Sequence, residues 1–460
     1  MLSKNNVNNG QNLNFNSSNI NLNNNNRNNG FSVRGVLGSI YFLFKFDPQA
    51  FSLWALLCVK NMPYKLTKDQ LFFDLYAAFL CAKKHKSNKD YVKKFEENLY
   101  DNLSELCDDL WNKTYKSKPY VCFIIEYPKK REIFAANFRD RIVHHLFYNY
   151  IYALFDSTLI EDSYSCRIGK GTYYGIERFN HHIRSCSENY TKKTYVLKMD
   201  IKGYFIHINR LKLLEITENT FNKLKTHKVS GRNDGKEWQD ILDFDFILYL
   251  NREIILTNPT INCIFNSKKE CWNGLPKSKS LFYTDENCGL PIGNLTSQLL
   301  SNVYLNILDQ YVKRVLKCKH YGRYVDDFYI VSNDKEKLLS FIPLIKTFLK
   351  EELFLDLHMG KTRIINSNYG VEFLGAYIKP NRIYISNQCL RRIKSQLYGP
   401  KYLENNKNLI ASINSYLGLF THYKSNNIKK SLFLNLPYLQ KIGEFNDDFT
   451  KFGQRETSIN

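Results

Sequence analysis

Three aspartates combine a residue type and a placement that suit metal-assisted chemistry on phosphates. Asp200 ends an apolar strand pattern, and Asp326 and Asp327 are adjacent within a pattern that predicts a hairpin. Two divalent ions about 4 Å apart can activate an attacking hydroxyl and neutralise a leaving pyrophosphate, provided that a few carboxylates converge on them. Mg²⁺ prefers hard oxygen ligands of this kind, and Mn²⁺ is an alternative. We therefore expect Asp200 to meet Asp326 and Asp327 in space, although they lie far apart along the chain.

Each of these signals is weak by itself. A pair of aspartates in a turn is commonly a solvated corner, and an aspartate at the end of a strand commonly caps the helix that follows. The interpretation as a metal site therefore depends on the other segments that accompany the aspartates.

The composition indicates a polyanionic partner. The chain carries 65 Lys and Arg against 44 Asp and Glu, a formal net charge of +21, which is more than solubility requires. The basic residues are interleaved with 32 Tyr and 32 Phe, a mixture typical of surfaces that neutralise phosphates and stack bases. AT-rich coding is the alternative explanation of the Lys, Asn, Tyr and Phe content, but it explains little of the net charge.

The 11 cysteines are scattered without a CxxC pair, which favours reduced thiols in a cytoplasmic protein over a disulfide framework. The densest group is Cys263, Cys271 and Cys288, whose spacing fits no common zinc pattern, so we interpret them as buried or bystander thiols. The apolar run at 36–59 is broken by two charged residues and a proline. We expect no membrane anchor.

Periodicity predicts an α+β chain behind a disordered Asn-rich leader. Amphipathic helices are predicted for LTKDQLFFDLYAAFLCAKKHK and DYVKKFEENLYDNLSELCDDLW, strands for PYVCFIIEY and KKREIFAAN, and a helix for FRDRIVHHLFYNYIYALF. YVLKMDIKGYF is predicted to be a strand that runs into a turn, LTSQLLSNVYLNILDQYVKRVL a long helix, and HYGRYVDDFYIVSND a hairpin with the acidic pair at its tip. Residues 208–288 are weakly patterned, and 388–445 return to helices.

The aspartates and their surroundings together resemble the palm of reverse transcriptases. RYVDDF at 323–328 matches that family's catalytic hairpin, and MDIKGYF at 199–205 matches its first carboxylate motif. Further segments follow in the family's order: PKKREIFAANFRDRIVHH at 128–145, DSYSCRIGKGTYYGIERF at 162–179, GLPIGNLTSQ at 289–298, HMGKTR at 358–363 and EFLGAYI at 372–378. The resemblance covers residues from about 65 to 440.

The resemblance implies a right-hand polymerase with fingers, a palm built on an antiparallel sheet with packed helices, and a helical thumb. The expected divisions are a leader at 1–61, N-terminal helices and fingers at 62–190, a palm at 191–385 with an insertion at about 211–285, and a helical thumb and tail at 386–460. The implied partners are an RNA template, its cDNA and dNTPs.

The resemblance also implies roles at the catalytic centre. Asp200 and Asp326 would bridge two Mg²⁺ ions, Asp327 would assist, and the carbonyl of Ile201 would add an oxygen ligand. Lys361 lies where a general acid for pyrophosphate departure is expected, although a lysine of a basic protein is as readily a solvated side chain. The primer grip would contain Phe373, Leu374 and Gly375.

Nucleotide binding is implied for a second set of residues. Phe205 falls where the family places a ring that excludes a 2′-hydroxyl, which would favour dNTPs; the alternative is a core aromatic. Lys129 and Arg131 fall in the strand that grips the triphosphate, where Arg offers a fork and Lys a point charge. Arg139 and Arg141 are either structural or directed at the template.

The segment from Ile292 to Gln298 departs from most reverse transcriptases, which carry Gln before the glycine and Pro after the serine. Here Ile292 precedes Gly293, and Gln298 follows Ser297. This form resembles the diversity-generating retroelement branch, in which a template-repeat RNA is copied with errors at adenines and the cDNA overwrites a variable repeat. Ile292 and Gly293 would lie beside the incoming nucleotide, and Ile292, Ser297 and Gln298 would affect template pairing and fidelity. The branch further implies a small basic accessory protein as partner.

The sequence leaves alternatives open for the leader and for the function. The leader at 1–37 resembles a template repeat translated in frame, with the enzyme starting at Met62, but an ordinary Asn-rich tail is the other interpretation. The polymerase could instead serve as a retron or antiphage reverse transcriptase. A noncatalytic RNA-binding protein on a polymerase fold is a third hypothesis, although such proteins typically lose a metal ligand.

Overall fold

The computed structural model describes residues 65–126, 129–229, 234–397, 406–423 and 426–454. All of them belong to one of two compact units, Leu57–Asn460, and the other unit, Met1–Leu56, lies outside the described residues. The predicted leader at 1–61 and the start at Met62 therefore also lie outside them.

Helices and strands alternate along the described chain. The α-helices are α1 (Lys68–Lys83), α2 (Asp90–Glu97), α3 (Leu99–Trp111), α4 (Phe138–Asp156), α5 (Thr172–Cys186), α6 (Tyr204–His207), α7 (Arg210–Leu224), α8 (Phe244–Leu256), α9 (Leu295–Gln310), α10 (Lys335–Leu353), α11 (Asn387–Leu397), α12 (Asn406–Phe420), α13 (Asn426–Leu434) and α14 (Pro437–Ile442). The strands are β1 (Val121–Ile125), β2 (Arg131–Ala135), β3 (Tyr195–Asp200), β4 (Ile264–Phe265), β5 (His320–Tyr324), β6 (Asp327–Ser332), β7 (Arg363–Asn366), β8 (Val371–Phe373), β9 (Ala376–Lys379), β10 (Arg382–Ile385), β11 (Gly443–Phe445) and β12 (Phe452–Gln454). The predicted mixed fold of helices and antiparallel sheet is confirmed.

The N-terminal helices pack as their apolar spacing predicts. Thr67 caps α1 by accepting a hydrogen bond from the amide of Gln70 at 3.2 Å, and α3 and α4 pack against α1. The second helix predicted from the sequence is two helices, because Asn98 adopts φ −124° and ψ 46° and separates α2 from α3. A short polar side chain with this backbone geometry ends one helix and begins the next.

A central sheet of β5, β6, β3 and β7, in that order, holds the middle of the chain together. All three pairings are antiparallel. The strands β5 and β6 form the predicted hairpin, in which Tyr324 pairs with Asp327 and two residues make the turn. Helices α5 and α10 pack on this sheet, so its strands are largely buried.

An N-terminal sheet contains β2, β1 and β4. Strands β1 and β2 pair in antiparallel fashion, whereas β4 joins β1 in parallel from the weakly patterned region. The same region supplies α7 and α8, which pack together and share a buried hydrogen bond from Asn251 Nδ2 to Thr217 Oγ1 at 2.8 Å. From the stretch predicted as an insertion, β4 is thus the strand that joins the N-terminal sheet.

The C-terminal part adds the sheet β10–β9–β8 and the predicted helices. Leu409, Ile413 and Leu417 lie four residues apart on the buried face of α12 and share one hydrophobic core with Val196 and Tyr329 of the central sheet. The hairpin of β11 and β12 was not predicted from the sequence. Among the described residues, no helix has the length and apolarity that crossing a membrane requires.

Candidate active site

Two neighbouring strands bring the three aspartates to one end of the central sheet. The register of β3 and β6 places Asp200 directly opposite Asp327, and Asp326 precedes Asp327 in the turn of the β5–β6 hairpin. Opposed residues of an antiparallel pair lie about 4.5–5.5 Å apart. Carboxylates from distant parts of the sequence therefore meet at this end of the sheet.

The aspartates repel one another electrostatically. Burial, together with the neighbouring charges of Asp200 and Asp327, raises the pKa of Asp326 to about 6. Burial also raises the pKa of Asp327, while Lys198 opposes that rise. Because a buried cluster of like charges is unfavourable, this end of the sheet requires a compensating cation.

Lysine ammonium groups compensate part of this charge. Lys361 Nζ lies 2.9 Å from Asp200 Oδ1 and 2.8 Å from Asp200 Oδ2. Lys198 Nζ lies 3.6 Å from Asp327 Oδ2 and donates a hydrogen bond to the carbonyl of Glu372 at 2.9 Å. The residue predicted as a general acid is thus in direct contact with one of the predicted metal ligands.

Backbone pairing explains how Lys361 reaches Asp200. The amide of His358 donates to the carbonyl of Asp200 at 2.8 Å, and the amide of Lys202 donates to the carbonyl of Asp356 at 2.9 Å. These bonds hold the segment before Lys361 alongside the end of β3. Neither bond uses the carbonyl of Ile201, the oxygen predicted to face a metal ion.

The chemistry of the donors suits hard divalent cations. Asp200, Asp326 and Asp327 offer carboxylate oxygens, and Ile201 offers a carbonyl oxygen, which are the donor types that Mg²⁺ and Mn²⁺ take. Within the described ranges, however, no group of three or more His, Cys, Asp or Glu side chains is arranged to enclose an ion. The ammonium of Lys361 occupies both oxygens of Asp200, so an ion that used this carboxylate would displace it.

A buried ion pair supports the hairpin that carries Asp326. Arg323 and Asp309 are both fully buried; Arg323 Nε donates to Asp309 Oδ1 at 2.8 Å and Arg323 Nη2 to Asp309 Oδ2 at 2.6 Å. Arg323 Nη1 also donates to the carbonyl of Val325 at 3.0 Å and to Asn302 Oδ1 at 3.1 Å. This bidentate pair joins the turn to α9, the helix that carries Asn302 and Asp309.

The turn itself is strained. Val325 has φ 56°, in the left-handed region that a β-branched side chain rarely adopts, and such a conformation costs about 1–3 kcal/mol. Ser165 Oγ accepts a hydrogen bond from the amide of Val325 at 3.1 Å and donates to Asn302 Oδ1 at 3.1 Å. Arg323 and Ser165 thus hold both polar backbone groups of Val325 and fix the position of Asp326.

Sequence reasoning missed these supporting residues. Ser165 lies in DSYSCRIGKGT, which was recognised only as a family segment, and Arg323 directly precedes the hairpin tip. A usable signal was present in α9: Asn302 and Asp309 lie seven residues apart, and therefore on one side of the helix, and both are buried. Polar residues on a buried helix face require polar partners.

The loop before α9 packs against β2. The carbonyl of Ile292 accepts a hydrogen bond from the amide of Phe134 at 3.2 Å. Gly293 has φ 127°, and a Cβ at this position would lie 3.1 Å from Ile133 Cγ2, so both backbone conformation and space favour glycine. Ile292 is half-buried. The two residues predicted beside the nucleotide are therefore positioned by the N-terminal sheet.

The residues predicted to affect fidelity have different surroundings. Ser297 is buried on α9, whereas Gln298 is exposed. Gln298 lines a cavity of about 200 Å³ together with Tyr148, Cys166 and Ile168. Gln298 is thus accessible from this cavity, whereas Ser297 is enclosed by its neighbours.

The residues predicted to bind the nucleotide have different exposures. Lys129 and Arg131 are exposed at the start of β2, and Phe205 is half-buried on α6. The structure resolves the alternatives for Arg139, which is buried, pairs with Asp109 and lies over the ring of Tyr115. Arg139 is therefore structural.

Arg141 is half-buried and held in place by its neighbours. Its Nε donates to the carbonyl of Ala136 at 2.8 Å, and its guanidinium lies over the ring of Tyr91. These contacts orient the side chain within the N-terminal region.

The predicted primer grip is a tight hairpin between β8 and β9. Phe373 is fully buried against Phe179 and Tyr329. Leu374 and Gly375 form its two-residue turn with φ 51° and 83°, as hairpins with left-handed central residues do. The turn is therefore the accessible part of the predicted primer grip, and Phe373 anchors the hairpin in the core.

Comparisons with known proteins extend these observations. Residues 126–378, more than half of the chain, match the family model described as reverse transcriptase (RNA-dependent DNA polymerase). No curated protein sequence matches the chain.

The chain is similar over part of its length to solved structures of telomerase. An apo telomerase from Candida tropicalis truncated from its C-terminal domain is 15% identical, with a TM-score of 0.41 over 61% of this chain and 59% of that chain. Telomerase from Candida albicans with a TWJ fragment of telomeric RNA is 13% identical, with a TM-score of 0.40 over 71% and 57%. Another apo telomerase from Candida tropicalis is 14% identical, with a TM-score of 0.41 over 71% and 60%. The chain spans about three fifths of the length of these structures.

The contact between Ser165 and the strained turn leads to a prediction. Ser165→Ala removes the acceptor for the Val325 amide, so Asp326 shifts, and primer extension on an RNA template falls between about 10- and 100-fold. Ser187→Ala is the matched control, because Ser187 is equally buried and its Oγ accepts a hydrogen bond from the amide of Tyr190 at 2.9 Å, in a turn that carries none of the aspartates. Steady-state primer extension and thermal melting of both variants provide the measurement. Equal activity of the two variants, at equal melting temperature, would contradict the positioning role.

Proposed function

The chain belongs to the reverse transcriptase family, and from this membership we propose that it is an RNA-directed DNA polymerase that works by two-metal nucleotidyl transfer. The observation that carries the proposal is the register that sets Asp200 opposite Asp327, with Asp326 beside them in the turn. The template would be RNA, the product cDNA and the substrates dNTPs.

The proposed mechanism assigns one function to each group at the end of the central sheet. Divalent ions, when bound, activate the primer hydroxyl and neutralise the departing pyrophosphate. Asp200 and Asp326 would hold them, the Ile201 carbonyl would add an oxygen, and Asp327, which lies beside Lys198, would assist. Lys361, which contacts Asp200, would donate a proton to the departing pyrophosphate.

Nucleotide selection is proposed for the residues around β2 and α6. Lys129 and Arg131 are exposed cations at the start of β2, and they bind the triphosphate. Gly293 lets the loop before α9 lie against this strand, which supports the proposal that Ile292 contacts the incoming base. Phe205 blocks the space that a 2′-hydroxyl would need.

We further propose that the polymerase copies a template-repeat RNA with deliberate errors at adenines, to diversify a target gene. Ile292 supports this proposal, because an apolar side chain at this position removes the donor and acceptor with which an amide would test the geometry of a base pair. Gln298 is the second residue of the segment from Ile292 to Gln298 for which we propose an effect on template pairing. It is exposed and lines the cavity beside α9. In this setting the enzyme would act with a small basic accessory protein in the cytoplasm.

The carboxylate assignment is tested by removal of one ligand. Asp326→Ala lowers primer extension at least about 100-fold, because transition-state charge loses several kcal/mol of stabilisation. Asp285→Ala, which removes an exposed aspartate of another region, leaves the activity unchanged. Radiolabelled primer extension on an RNA template, at saturating Mg²⁺, measures both. Full activity of Asp326→Ala would refute the site, and no activity in the parent would favour a noncatalytic RNA-binding protein.

The sugar preference is tested at Phe205. Phe205→Val opens space for the 2′-hydroxyl and therefore lowers the preference for dNTPs over rNTPs, whereas Phe205→Tyr retains a ring and the preference. Single-nucleotide incorporation, compared as kcat/KM for dATP and ATP, distinguishes the two. An unchanged ratio of kcat/KM for dATP to kcat/KM for ATP in Phe205→Val would indicate that Phe205 is a core aromatic and does not select the sugar.

The proposal of mutagenic copying is tested at Ile292. Ile292→Gln restores an amide and lowers misincorporation opposite template adenine, while Ile292→Val stays apolar and error-prone. Sequencing of cDNA made by each variant on one RNA template gives the error rate at each base. The same adenine error rate in the parent and Ile292→Gln would exclude the residue as the cause, although the polymerase assignment would stand.

A further inference from the structure

Exposed aromatic rings cluster on the segment from β4 to Tyr283, which joins the N-terminal sheet through β4. Phe265 on β4 is 53% exposed, Tyr283 is 64% exposed and Phe282 is 36% exposed. The rings of Phe265 and Phe282 stack with centroids 5.6 Å apart and planes inclined by 17°. Large aromatic residues rarely stay exposed in a cluster unless they contact a ligand or partner.

Strand register shows which face of the sheet carries these rings. Phe265 pairs with Cys122 on β1, and Cys122 pairs with Phe134 on β2, so the three side chains share one face. Phe282 contacts both Phe265 and Phe134. Arg131, an odd number of residues from Phe134, points to the opposite face. The rings are therefore distinct from the proposed triphosphate contact.

A buried carboxylate holds the rings in place. Glu132 is 4% exposed and accepts hydrogen bonds from Trp272 Nε1 at 2.7 Å, from Ser280 Oγ at 2.9 Å and from the amide of Leu281 at 2.7 Å. Leu281 directly precedes the exposed ring pair Phe282 and Tyr283. Because these bonds fix the segment before a ligand arrives, binding loses little conformational entropy.

Lysines surround the rings. Lys268, Lys269 and Lys277 are exposed, and Lys277 Nζ lies 5.2 Å from the centroid of the Tyr283 ring. Between β4 and Tyr283 the only acidic residue is Glu270. From β4 to Tyr283 exposed lysines therefore outnumber acidic residues, and the acidic residues Asp285 and Glu286 follow this segment.

We propose that Phe265, Phe282, Tyr283, Lys268, Lys269 and Lys277, here called the aromatic–lysine surface, bind single-stranded nucleic acid. Rings with free faces stack bases of any sequence, and the adjacent ammonium groups neutralise the phosphates between them. A protein partner would be expected to favour an apolar centre without several lysines, because interface centres are depleted in charged residues. The surface goes beyond the proposed polymerase activity, since it gives unpaired RNA or DNA a contact that the three aspartates do not provide.

Equilibrium binding of the full chain to a labelled oligouridylate tests the proposal. With an RNA of about twelve nucleotides, Phe265→Leu combined with Tyr283→Ala weakens binding roughly tenfold, as expected when stacking partners are lost. Leucine retains apolar volume at Phe265, so the sheet is preserved, and thermal melting verifies this. Lys268→Gln combined with Lys269→Gln lowers the slope of log affinity against log salt by about 1.

Matched variants on other surfaces provide the controls. Tyr100→Ala removes an exposed ring from α3, and Lys346→Gln with Lys350→Gln removes the same charge from α10; both leave the affinity for the oligouridylate unchanged. The proposal would be overturned if the variant without the two rings bound the oligouridylate as tightly as the parent protein and the variant without the two lysines showed the same salt slope as the parent. A change in self-association without a change in affinity would also overturn it, in favour of a protein contact. Primer extension by the same variants on a primer–template duplex with a template overhang of only a few nucleotides is measured separately, so failure of the polymerase proposal is distinguished from failure of this one.

Discussion

The ion pair between Arg323 and Asp309 is the contact on which the candidate active site depends. Both side chains are fully buried, and removal of either would leave an uncompensated charge, at a cost of about 3–5 kcal/mol. Such a pair contributes less to net stability than to geometry, because a planar guanidinium that binds both oxygens of a carboxylate has one orientation. Here that orientation fixes the carbonyl of Val325, and with it the turn that presents Asp326.

Two unfavourable features coincide at this turn. Val325 adopts a left-handed conformation, and the aspartates at the end of the sheet repel one another. Either feature would relax if the hairpin were free to move, so the supporting bonds from Arg323 and Ser165 have to outweigh both. Strain and clustered charge at a functional site are stabilised by the surrounding structure and are not relieved locally. The lysines that contact the carboxylates reduce the repulsion without removing it.

The sequence predicted the helices and strands better than it predicted which of them contact one another. Apolar strand patterns and a two-residue turn were sufficient to foresee the hairpin and the long helix α9, because both arise from local periodicity. Local pattern could not reveal that β4 joins β1 in parallel or that the β11–β12 hairpin packs on α12, since both depend on contacts with distant residues. The charge at position 323 is the clearest case: arginine is ordinarily exposed, and only the presence of Asp309 on the buried face of α9 makes its burial possible. The three aspartates were predictable as a group, whereas the contact of Lys361 with Asp200 required the backbone pairing beyond β3.

The bond between Ser165 and Val325 joins residues 160 positions apart in the sequence, and this separation has a consequence for how the protein matures. Contacts of such high sequence separation form late, because the intervening chain must lose its conformational freedom before they provide stabilisation. During synthesis the segment that contains Ser165 emerges long before Val325 and has no turn to hold. The geometry of the hairpin that carries Asp326 therefore forms only in the nearly finished chain, and a truncated product that ends before β6 would lack the strand that sets Asp327 opposite Asp200.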